Sequence, residues 1–482
     1  MAADANYDAF LDRAQQVASA IKEHVQNDSF IVTVSHHDAD GLSAAGIMGA
    51  VLSRAKTRFT VRIVEEIRED ILREISATKP DLAILTDLGS GYLDLLGAQF
   101  EAKTIVVLDH HPPTGTPSSK ILQLNPHEYG IDGARLVSAA GVSYFVAKQI
   151  SDRNMDLGAL AVVGALGDMQ DKNEKRSLIG LNERLVEDGL SSGNLKVDSD
   201  LVLYGRETRP IHRALAYTTT PYLPDLSGRE DNCITLLSRA GIQLKNGERF
   251  RTLADLTQEE KQKLVDAIIS HLSSIGFQSS VVLDMVGTVY TLVNEPAGSP
   301  TRDGREYAAL LNACGRTGNA SIGVSVGLGD RRRALREANE VVSNYRKTLA
   351  NYMEWLTKTP DAIQKFNSIW AIRGENIIQE SMTGAFSSIL SSAGSLSPDH
   401  VIIVLTRAKD NGIKLSARAP PKLLKIGVNL GTALNATTKK YSGFGGGHNV
   451  AAGAHIKAED PVPFLKELDE VILGQMQGIL GN

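Results

Sequence analysis

The chain has 482 residues, more than one ordinary domain core holds, and about three domains are expected at roughly 150 residues each. Hydrophobic residues make up 42% and charged residues 22%, which is typical of a packed globular protein and excludes bulk disorder. A net charge of -5 excludes a wholly basic nucleic-acid coat, although not a local basic groove. Two cysteines, Cys233 and Cys314, exclude a disulfide framework and a thiolate zinc site, which favours a reducing, intracellular location.

The sequence shows no pattern typical of a secretion signal or a membrane anchor. The first residues, MAADANYDAFLDR, carry acids where a signal peptide needs a basic segment and an apolar run. The most apolar stretch, residues 158–166, is far shorter than the roughly 20 residues that span a bilayer. We therefore expect a cytoplasmic protein without a membrane partner.

The first third of the chain alternates between helical and strand patterns. Apolar residues recur at helical spacing in residues 8–25, namely Phe10, Ala14, Val17, Ile21 and Val25. Short β-branched runs follow at Ile31–Val34, Phe59–Val64, Leu82–Leu85, Ile105–Leu108 and Ile121–Leu124. Such runs, separated by helices, are typical of buried strands in a parallel α/β sheet. Two further helices are predicted near residues 134–151 and 156–166.

The residue pattern changes twice in the rest of the chain. After residue 190 it becomes rich in loops, and Thr257 with Glu260 forms a capping-box pattern at the start of a helix. Residues 331–358 carry one long amphipathic pattern that Pro360 must end. Strand runs return at Val401–Leu405 and Lys414–Ala417.

These patterns predict a two-lobed α/β protein with a mainly helical insertion. The first lobe holds a mostly parallel sheet and the second lobe is a smaller α/β domain. The expected segments are the first lobe at 1–190, the insertion at 191–300, the remainder of the first lobe with a long linking helix at 301–360, and the second lobe at 361–482.

Acidic residues and histidines follow three of the predicted strands. The first strand runs into SHHDADG at 35–41, the third into TDLG at 86–89 and the fourth into DHHP at 109–112. Ligands of open α/β sheets bind beyond the carboxyl ends of the strands, so these side chains are expected in one crevice. Histidine and carboxylates without cysteine suit Mn²⁺ or Mg²⁺. The candidate ligands, enough for two ions that share a carboxylate, are His36, Asp38, Asp40, Asp87, His110 and Asp168.

A purely structural role is the alternative for the same residues. An aspartate after a strand is often only a helix cap, and Asp40-Gly41 alone is a turn pattern. Five of the 11 histidines, at positions 36, 37, 110, 111 and 448, nevertheless lie in these motifs or in the glycine-rich segment near the C-terminus. This clustering favours a metal site.

The same motifs resemble those of a known family. His36-x-Asp38-x-Asp40-Gly41, Asp87, Asp109-His110-His111 and Gly167-Asp168 resemble the four motifs of the DHH phosphoesterase superfamily. Residues 443–453, GFGGGHNVAAG, are similar to the signature of the DHH-associated C-terminal domain, so the resemblance brackets nearly the whole chain. Residues 164–170, 204–210 and 306–316 are similar to stretches of the archaeal RecJ-like nucleases, which include the GINS-associated nuclease.

The resemblance implies a 5′→3′ exonuclease on single-stranded DNA that uses two Mn²⁺ or Mg²⁺ ions in DNA replication or repair. The residues implied for the first ion are His36, Asp38 and the bridging Asp87, and those for the second are Asp87, Asp40, His110 and Asp168. Asp109 is expected to orient an imidazole and His111 to face the scissile phosphate.

The second lobe is then expected to be the substrate-binding domain. Its glycines Gly445, Gly446 and Gly447 can let backbone N–H groups approach a phosphate, and His448 adds a donor. Arg418, at the end of a predicted strand, is a second candidate for binding phosphate. Arg316 is a further candidate, and a structural salt bridge explains it equally well.

Three other functions stay open. Some archaeal relatives trim RNA from its 3′ end, and related phosphodiesterases act on short oligonucleotides or cyclic dinucleotides. A non-catalytic replisome subunit is the third alternative, because the family includes a replicative-helicase component. Whether the protein is catalytic or not, we expect residues 190–300 to bind the GINS complex. An insertion of this size can also simply shape the substrate channel.

Overall fold

The computed structural model describes residues 5–218, 221–277, 279–392 and 396–478. The chain divides into two units, Met1–Val342 and Ser343–Asn482. Both units contain a sheet and helices, which confirms the expected α/β fold class. Within the described ranges, no helix combines the length and the apolar composition that a membrane crossing requires.

The first unit contains a five-stranded sheet in which all neighbouring strands are parallel, in the order β2-β1-β3-β4-β5. The predicted β-branched runs form these strands. Their bounds are β1 (Ile31–His36), β2 (Phe59–Val64), β3 (Leu82–Thr86), β4 (Thr104–Leu108) and β5 (Ile121–Leu124). The central strands β1, β3 and β4 are almost wholly buried because helices cover both faces of the sheet.

The helices around this sheet follow the expected alternation with strands. Their bounds are α1 (Tyr7–Gln26), α2 (Ala39–Arg54), α3 (Glu69–Ser76), α4 (Leu93–Gln99), α5 (Ala139–Ile150), α6 (Gly158–Gly167) and α7 (Leu181–Ser191). Helices α3 and α4 pack on one face of the sheet, whereas α1, α2 and α5 pack on the other. Helix α5 begins at Ala139, later than predicted, because the Ser138 hydroxyl caps it by accepting a hydrogen bond from the Gly141 N–H.

The insertion has a hydrophobic core of its own, formed by residues between 201 and 285. Its elements are β6 (Leu195–Leu201), α8 (Ile211–Ala216), α9 (Glu230–Arg239), β7 (Lys245–Asn246), β8 (Arg249–Phe250), α10 (Gln258–Ser274) and β9 (Val286–Leu292). The flanking strands β6 and β9 pair antiparallel and so join the insertion to the rest of the unit. The predicted capping box is present, since Thr257 and Glu260 each accept a hydrogen bond from the other's backbone N–H. The mainly helical character is confirmed.

Three helices follow the insertion. Their bounds are α11 (Gly304–Arg316), α12 (Ala320–Gly327) and α13 (Arg333–Lys358). Helix α11 packs against α2 and α6 of the first unit. Helix α13 is the predicted long helix, and it ends two residues before Pro360. The boundary between the two units falls inside α13.

The second unit contains a six-stranded sheet in the order β10-β11-β12-β13-β15-β14. Its strands are β10 (Ile363–Lys365), β11 (Ile369–Arg373), β12 (Val401–Arg407), β13 (Ile413–Arg418), β14 (Phe444–Gly447) and β15 (Ala451–Ile456). Its helices are α14 (Thr383–Ser392), α15 (Pro421–Leu424), α16 (Leu430–Thr438) and α17 (Val462–Met476). Only β11 and β12 pair parallel, so the sheet is mixed and mostly antiparallel.

Candidate metal centre and substrate-binding face

The carboxyl ends of β1, β3 and β4 meet at one edge of the first sheet. His36 is the last residue of β1, Asp87 directly follows β3, and His110 lies two residues after β4. Because β3 pairs with both β1 and β4, Asp87 lies between the two histidines. Asp87 Oδ2 is 3.4 Å from His36 Nδ1, and Asp87 Oδ1 is 3.3 Å from His110 Nε2.

Asp87 therefore belongs to two groups of possible metal ligands. His36, Asp38 and Asp87 form the first group, in which one ligand atom of each residue lies within 4.8 Å of the others. Asp87, His110 and His111 form the second group by the same distance. Asp38 serves twice, since Oδ1 caps α2 through the Gly41 N–H while Oδ2 lies 3.1 Å from His36 Nδ1. The capping interpretation and the metal interpretation of Asp38 are thus compatible.

The donor set fits a divalent cation. Both carboxylate oxygens of Asp87 and the Nδ1 atom of His36 are buried, and their contacts with one another and with Asp38 and His110 lie at ion-pair distance without good hydrogen-bond geometry. Asp87 also has a φ of 60°, a left-handed conformation that is unfavourable for residues other than glycine and concentrates at functional sites. A buried carboxylate without a hydrogen bond is destabilising unless a cation compensates it. Carboxylates with imidazole nitrogens are ligands for Mn²⁺ and Mg²⁺.

The electrostatics of the cluster show an excess of negative charge. Burial and the neighbouring Asp87 carboxylate raise the pKa of Asp40 well above its usual value. Burial lowers the pKa of His110, but contact with Asp87 and the charges of Asp168 and Asp40 outweigh burial and hold that pKa well above its usual value. Acids and bases that both favour their protonated forms mark a site that attracts positive charge.

Asp40 is held by the start of α5. Its Oδ2 accepts a hydrogen bond from the Ala139 N–H at 2.7 Å, and its Oδ1 accepts one from the Ala140 N–H at 3.0 Å. Gly164 makes this approach possible, because a Cβ atom there would lie 2.5 Å from Asp40 Oδ1. Asp40 Oδ2 remains 3.8 Å from His110 Nε2, so the carboxylate borders the second group of ligands.

The ring of His110 is oriented by the Gly133 carbonyl, which lies 2.8 Å from Nδ1. In the neutral ring, an Nδ1–H that donates to this carbonyl leaves the lone pair of Nε2 facing Asp87 and Asp40. Asp168 Oδ2 lies 3.8 Å from Nδ1, on the other side of the ring from Asp87. Gln170 Nε2 donates to both Asp168 Oδ2 and the Gly133 carbonyl, so one amide holds both neighbours of His110.

Asp109 orients the ring of His111. Asp109 Oδ1 lies 2.9 Å from His111 Nδ1 and accepts a hydrogen bond from the His110 N–H, while Oδ2 accepts one from the Ser90 N–H. Burial raises the pKa of Asp109, but the hydrogen bond and charge of His111, the charge of His110 and the Ser90 N–H together outweigh burial and hold that pKa well below its usual value. His111 is partly exposed, with its Nδ1 occupied and its Nε2 pointing away from Asp109.

Helix α11 supports the loop that carries the first ligands. Asn312 Oδ1 accepts a hydrogen bond from the Ala39 N–H at 3.1 Å. Gly315 packs on the His37 carbonyl, from which a Cβ atom would be only 1.6 Å away. Burial and the neighbouring His36 lower the pKa of His37 to about 4. The charge of Arg316 also lowers it, which places Arg316 near this loop. No role was predicted for Asn312 or Gln170, although both lie in stretches that resemble the family.

The other predicted phosphate-binding residues lie in the second unit. Arg418 ends β13 and donates to Ser388 Oγ at 2.8 Å and to the Gly384 carbonyl at 3.2 Å, so α14 fixes its guanidinium. The three glycines form the edge strand β14, which ends just before the exposed His448.

The three glycines of β14 have different surroundings. A Cβ atom at Gly445 would lie 2.9 Å from both Ala454 Cβ and Thr438 Cγ2, so packing requires glycine there. Gly447 has a φ of 135°, which favours glycine for its backbone conformation. A Cβ atom at Gly446 would meet nothing within 4 Å. Only Gly446 therefore leaves open space on the surface.

Comparison with known sequences finds three matched domains along the chain. Residues 30–165 match the DHH family, N-terminal domain, residues 203–286 match the DHH-CID domain, and residues 369–474 match the DHHA1 domain. An uncharacterized protein from Methanocaldococcus jannaschii is 32% identical over 476 residues, which cover 97% of this chain and 99% of that protein.

Solved structures share the fold at low sequence identity. RecJ from Thermus thermophilus in complex with Mn²⁺ is 16% identical with a TM-score of 0.55, over 98% of this chain and 55% of that RecJ. Exonuclease RecJ bound to manganese is 16% identical with a TM-score of 0.52, over 96% of this chain and 94% of that chain. CDC45 from Entamoeba histolytica is 11% identical with a TM-score of 0.62, over 96% of this chain and 99% of that chain. By its three matched domains the chain belongs to the DHH superfamily, and it shares its fold with RecJ and CDC45.

Proposed function

We propose that this protein is a metal-dependent exonuclease that hydrolyses the phosphodiester bonds of single-stranded DNA from the 5′ end, in DNA replication or repair. The observation that carries this proposal is the position of Asp87, whose two oxygens face two separate groups of ligands. A carboxylate with one oxygen toward each group can bridge two ions about 3.5–4 Å apart. The RecJ structures that share the fold were solved with manganese, which supports Mn²⁺ as the ion, with Mg²⁺ as the alternative.

The residues divide into ligands and groups that position them. The first ion is assigned to His36, Asp38 and Asp87. The second is assigned to Asp87, Asp40 and His110, with Asp168 beside them. His111 lies in the second group but is not assigned as a ligand, because its Nδ1 is engaged by Asp109. When bound, two divalent cations supply Lewis-acid stabilisation of the phosphoryl group and activation of water.

Asp109 keeps Nδ1 of His111 occupied, so the His111 Nε2 atom can donate a hydrogen bond to an oxygen of the scissile phosphate. In the second unit, Arg418, the backbone at Gly446 and His448 hold neighbouring phosphates of the strand. In the first unit, Arg316 binds a further phosphate of the strand near the loop that carries His37.

The test is hydrolysis of single-stranded DNA labelled at the 5′ or the 3′ end, with Mn²⁺, with Mg²⁺ and with a chelator. We expect labelled mononucleotide from the 5′-labelled strand at early times, and a ladder from the 3′-labelled strand. Asp87→Ala should abolish both. Release from the 3′ end would contradict the proposed direction of digestion. Preference for RNA of equal sequence, or activity on dinucleotides only, would contradict the proposed substrate. No hydrolysis with either ion would refute catalysis.

A second candidate function is a replisome subunit that binds the GINS complex through the insertion. The CDC45 similarity in fold supports this candidate. The insertion has its own core and an open groove of about 580 Å³, lined by apolar residues such as Ile234 and Leu244 and by polar residues such as Ser238 and Lys245. Catalysis and GINS binding can coexist, because the insertion contributes none of the assigned metal ligands.

GINS binding is tested by pull-down with Ile234→Glu, which places a charge on an exposed residue of the groove and should spare the buried core. We expect loss of GINS capture with unchanged hydrolysis. Asp266→Lys, a charge change in α10 outside the residues lining the groove, is the control and should retain capture. Capture of GINS by Ile234→Glu at the level of the unchanged protein would contradict this assignment.

A further inference from the structure

The register of the second sheet places three rows of residues on one face of β13, β15 and β14. Residues directly opposite in an antiparallel pair point to the same face, and alternate residues along a strand share that face. The three rows are Lys414, His455 and Phe444; Ser416, Gly453 and Gly446; and Arg418 with Ala451. The row that contains Arg418 lies about 13 Å along the strands from the row that contains Phe444.

This face is open at β15 and β14. The opposite face is packed under α16 and α17, with Leu415 and Ala454 in its core. On the face of interest, α14 packs over β12 and β13 through Phe386, which joins the core around Val404. Beyond α14 the middle row ends in glycine, and a Cβ atom at Gly453 would meet only the Leu415 carbonyl, at 3.5 Å. The glycines leave a shallow trough of exposed backbone.

An aromatic ring borders this trough. Phe444 is 59% exposed, although a phenylalanine on a stable sheet is usually buried. Its ring stacks on that of His455, with the centroids 5.4 Å apart and an angle of 16° between the planes. His455 is itself held by a 3.0 Å contact between Nε2 and Asp410 Oδ1. One face of the Phe444 ring is thus supported, and the exposed remainder can accept a planar ligand.

We propose that Phe444, supported by His455, is a stacking platform for a nucleobase of the single strand, whose backbone crosses Gly446 and Gly453 toward Arg418. This inference rests on the proposed function. Every base has a π face, so stacking on an aromatic side chain binds a strand without selecting its sequence. An exonuclease that must accept every nucleotide in turn needs contacts of this kind. The glycines contribute by leaving room for the sugar and the phosphate above the sheet.

The test is fluorescence anisotropy with labelled single-stranded DNA in a chelator, so that no hydrolysis occurs. Phe444→Ala should weaken binding on the order of ten-fold, the usual effect of removing one aromatic side chain under a base, and Phe444→Trp should retain it. A strand of equal length without bases should bind the unchanged protein and Phe444→Ala equally. Tyr222→Ala removes another exposed ring, 49% exposed and in the insertion, and should bind as the unchanged protein does.

The outcomes separate this inference from the proposed function. Equal affinity of Phe444→Ala and the unchanged protein, or an equal loss on the strand without bases, would refute the platform. Failure of the unchanged protein to bind any single strand would refute it as well. Binding that depends on Phe444 together with an absence of hydrolysis would leave the platform standing and refute only the exonuclease. Circular dichroism should show the same fold for all variants, because Phe444 and Tyr222 are both largely exposed.

Discussion

The two sheets of this protein present functional residues in different ways. The first sheet is all parallel and its central strands are buried on both faces, so its chemistry lies where the strands end, at His36, Asp87 and His110. The second sheet is mostly antiparallel, and part of one face is uncovered at Phe444 and Gly446. A ligand can reach only the edges and strand ends of a parallel sheet that helices cover on both faces. An antiparallel sheet can leave one face accessible to a ligand.

The environments differ as strongly as the geometry. Asp40, Asp87 and Asp109 are buried acids whose charges need a cation or hydrogen bonds. On the second sheet, an exposed aromatic ring and bare backbone need no ion. The comparison predicts that metal-dependent chemistry and metal-independent strand binding can be removed separately.

The largest effect is expected for Asp87→Asn, which removes the charge shared by the two groups of ligands. We expect a loss of activity of about 10³-fold or more, because several kcal/mol of metal-dependent stabilisation is lost. In thermal unfolding, Mn²⁺ should stabilise the unchanged protein by about 3 kcal/mol at a concentration 100 times its Kd, and the variant far less. Strand binding measured in a chelator should not change. A variant that lost binding in the chelator would break the separation between the two sheets.

The next effect is expected for Asp109→Asn, which alters a residue that orients His111 without belonging to the two groups of ligands. We expect activity to fall about 10- to 100-fold, as is usual when a partner that orients a functional imidazole is changed. Asp81→Asn is the matched control, because Asp81 precedes β3 at the opposite end of the same sheet and pairs with Lys103. Equal activities of the two variants would argue against the positioning role.

The glycines of β14 give a paired test in the second unit. Gly446→Val should preserve the thermal stability but weaken single-strand binding roughly ten-fold, because its side chain fills the trough rather than the core. Gly445→Val should instead lower the free energy of unfolding by about 1–3 kcal/mol, because its side chain collides with Ala454 and Thr438. Urea unfolding and anisotropy measure the two effects. A loss of stability in both variants would remove the distinction between the glycines.

The smallest effect on activity is expected for Glu306→Gln, which tests buried charge away from the ligands. Burial, Asp303 and Glu207 raise the pKa of Glu306 from 4.5 to about 7, although Thr208 and the Glu207 N–H donate hydrogen bonds to it. The folded state therefore binds the proton more tightly than the unfolded state. The contribution of Glu306 to the free energy of unfolding is fully present below about pH 4.5. It falls by about 3 kcal/mol as the pH rises to about 7.

Urea unfolding at pH 5 and pH 8 checks this prediction. The difference in stability between the two pH values should be smaller for Glu306→Gln than for the unchanged protein, since glutamine has no proton to release. Hydrolysis at pH 8 should stay within a few-fold of the unchanged protein, because Glu306 contacts the insertion and not the metal ligands. The same pH dependence in both proteins would contradict the assignment of the titration to Glu306.

Much of the first unit could be predicted because its signals are local. A β-branched run reports a buried strand, and the residue after that run lies at the carboxyl end of the strand, so His36, Asp87 and His110 could be brought together in one crevice. Helix α10 and its cap could be predicted from Thr257 and Glu260 for the same reason. The resemblance to the DHH motifs added roles to residues that the patterns had already grouped.

The amino-acid sequence by itself thus determined the fold class, the five strands of the first sheet, and the set of candidate ligands. Only the tertiary structure decided which atoms meet: the Gly133 carbonyl on His110, Asn312 on the Ala39 N–H, and Gln170 between Asp168 and Gly133. It also decided that the adjacent glycines of β14 differ and that Phe444 stacks on His455. The physical reason is range, since periodicity and capping depend on neighbours in the chain, whereas orientation and exposure depend on residues tens to hundreds of positions away.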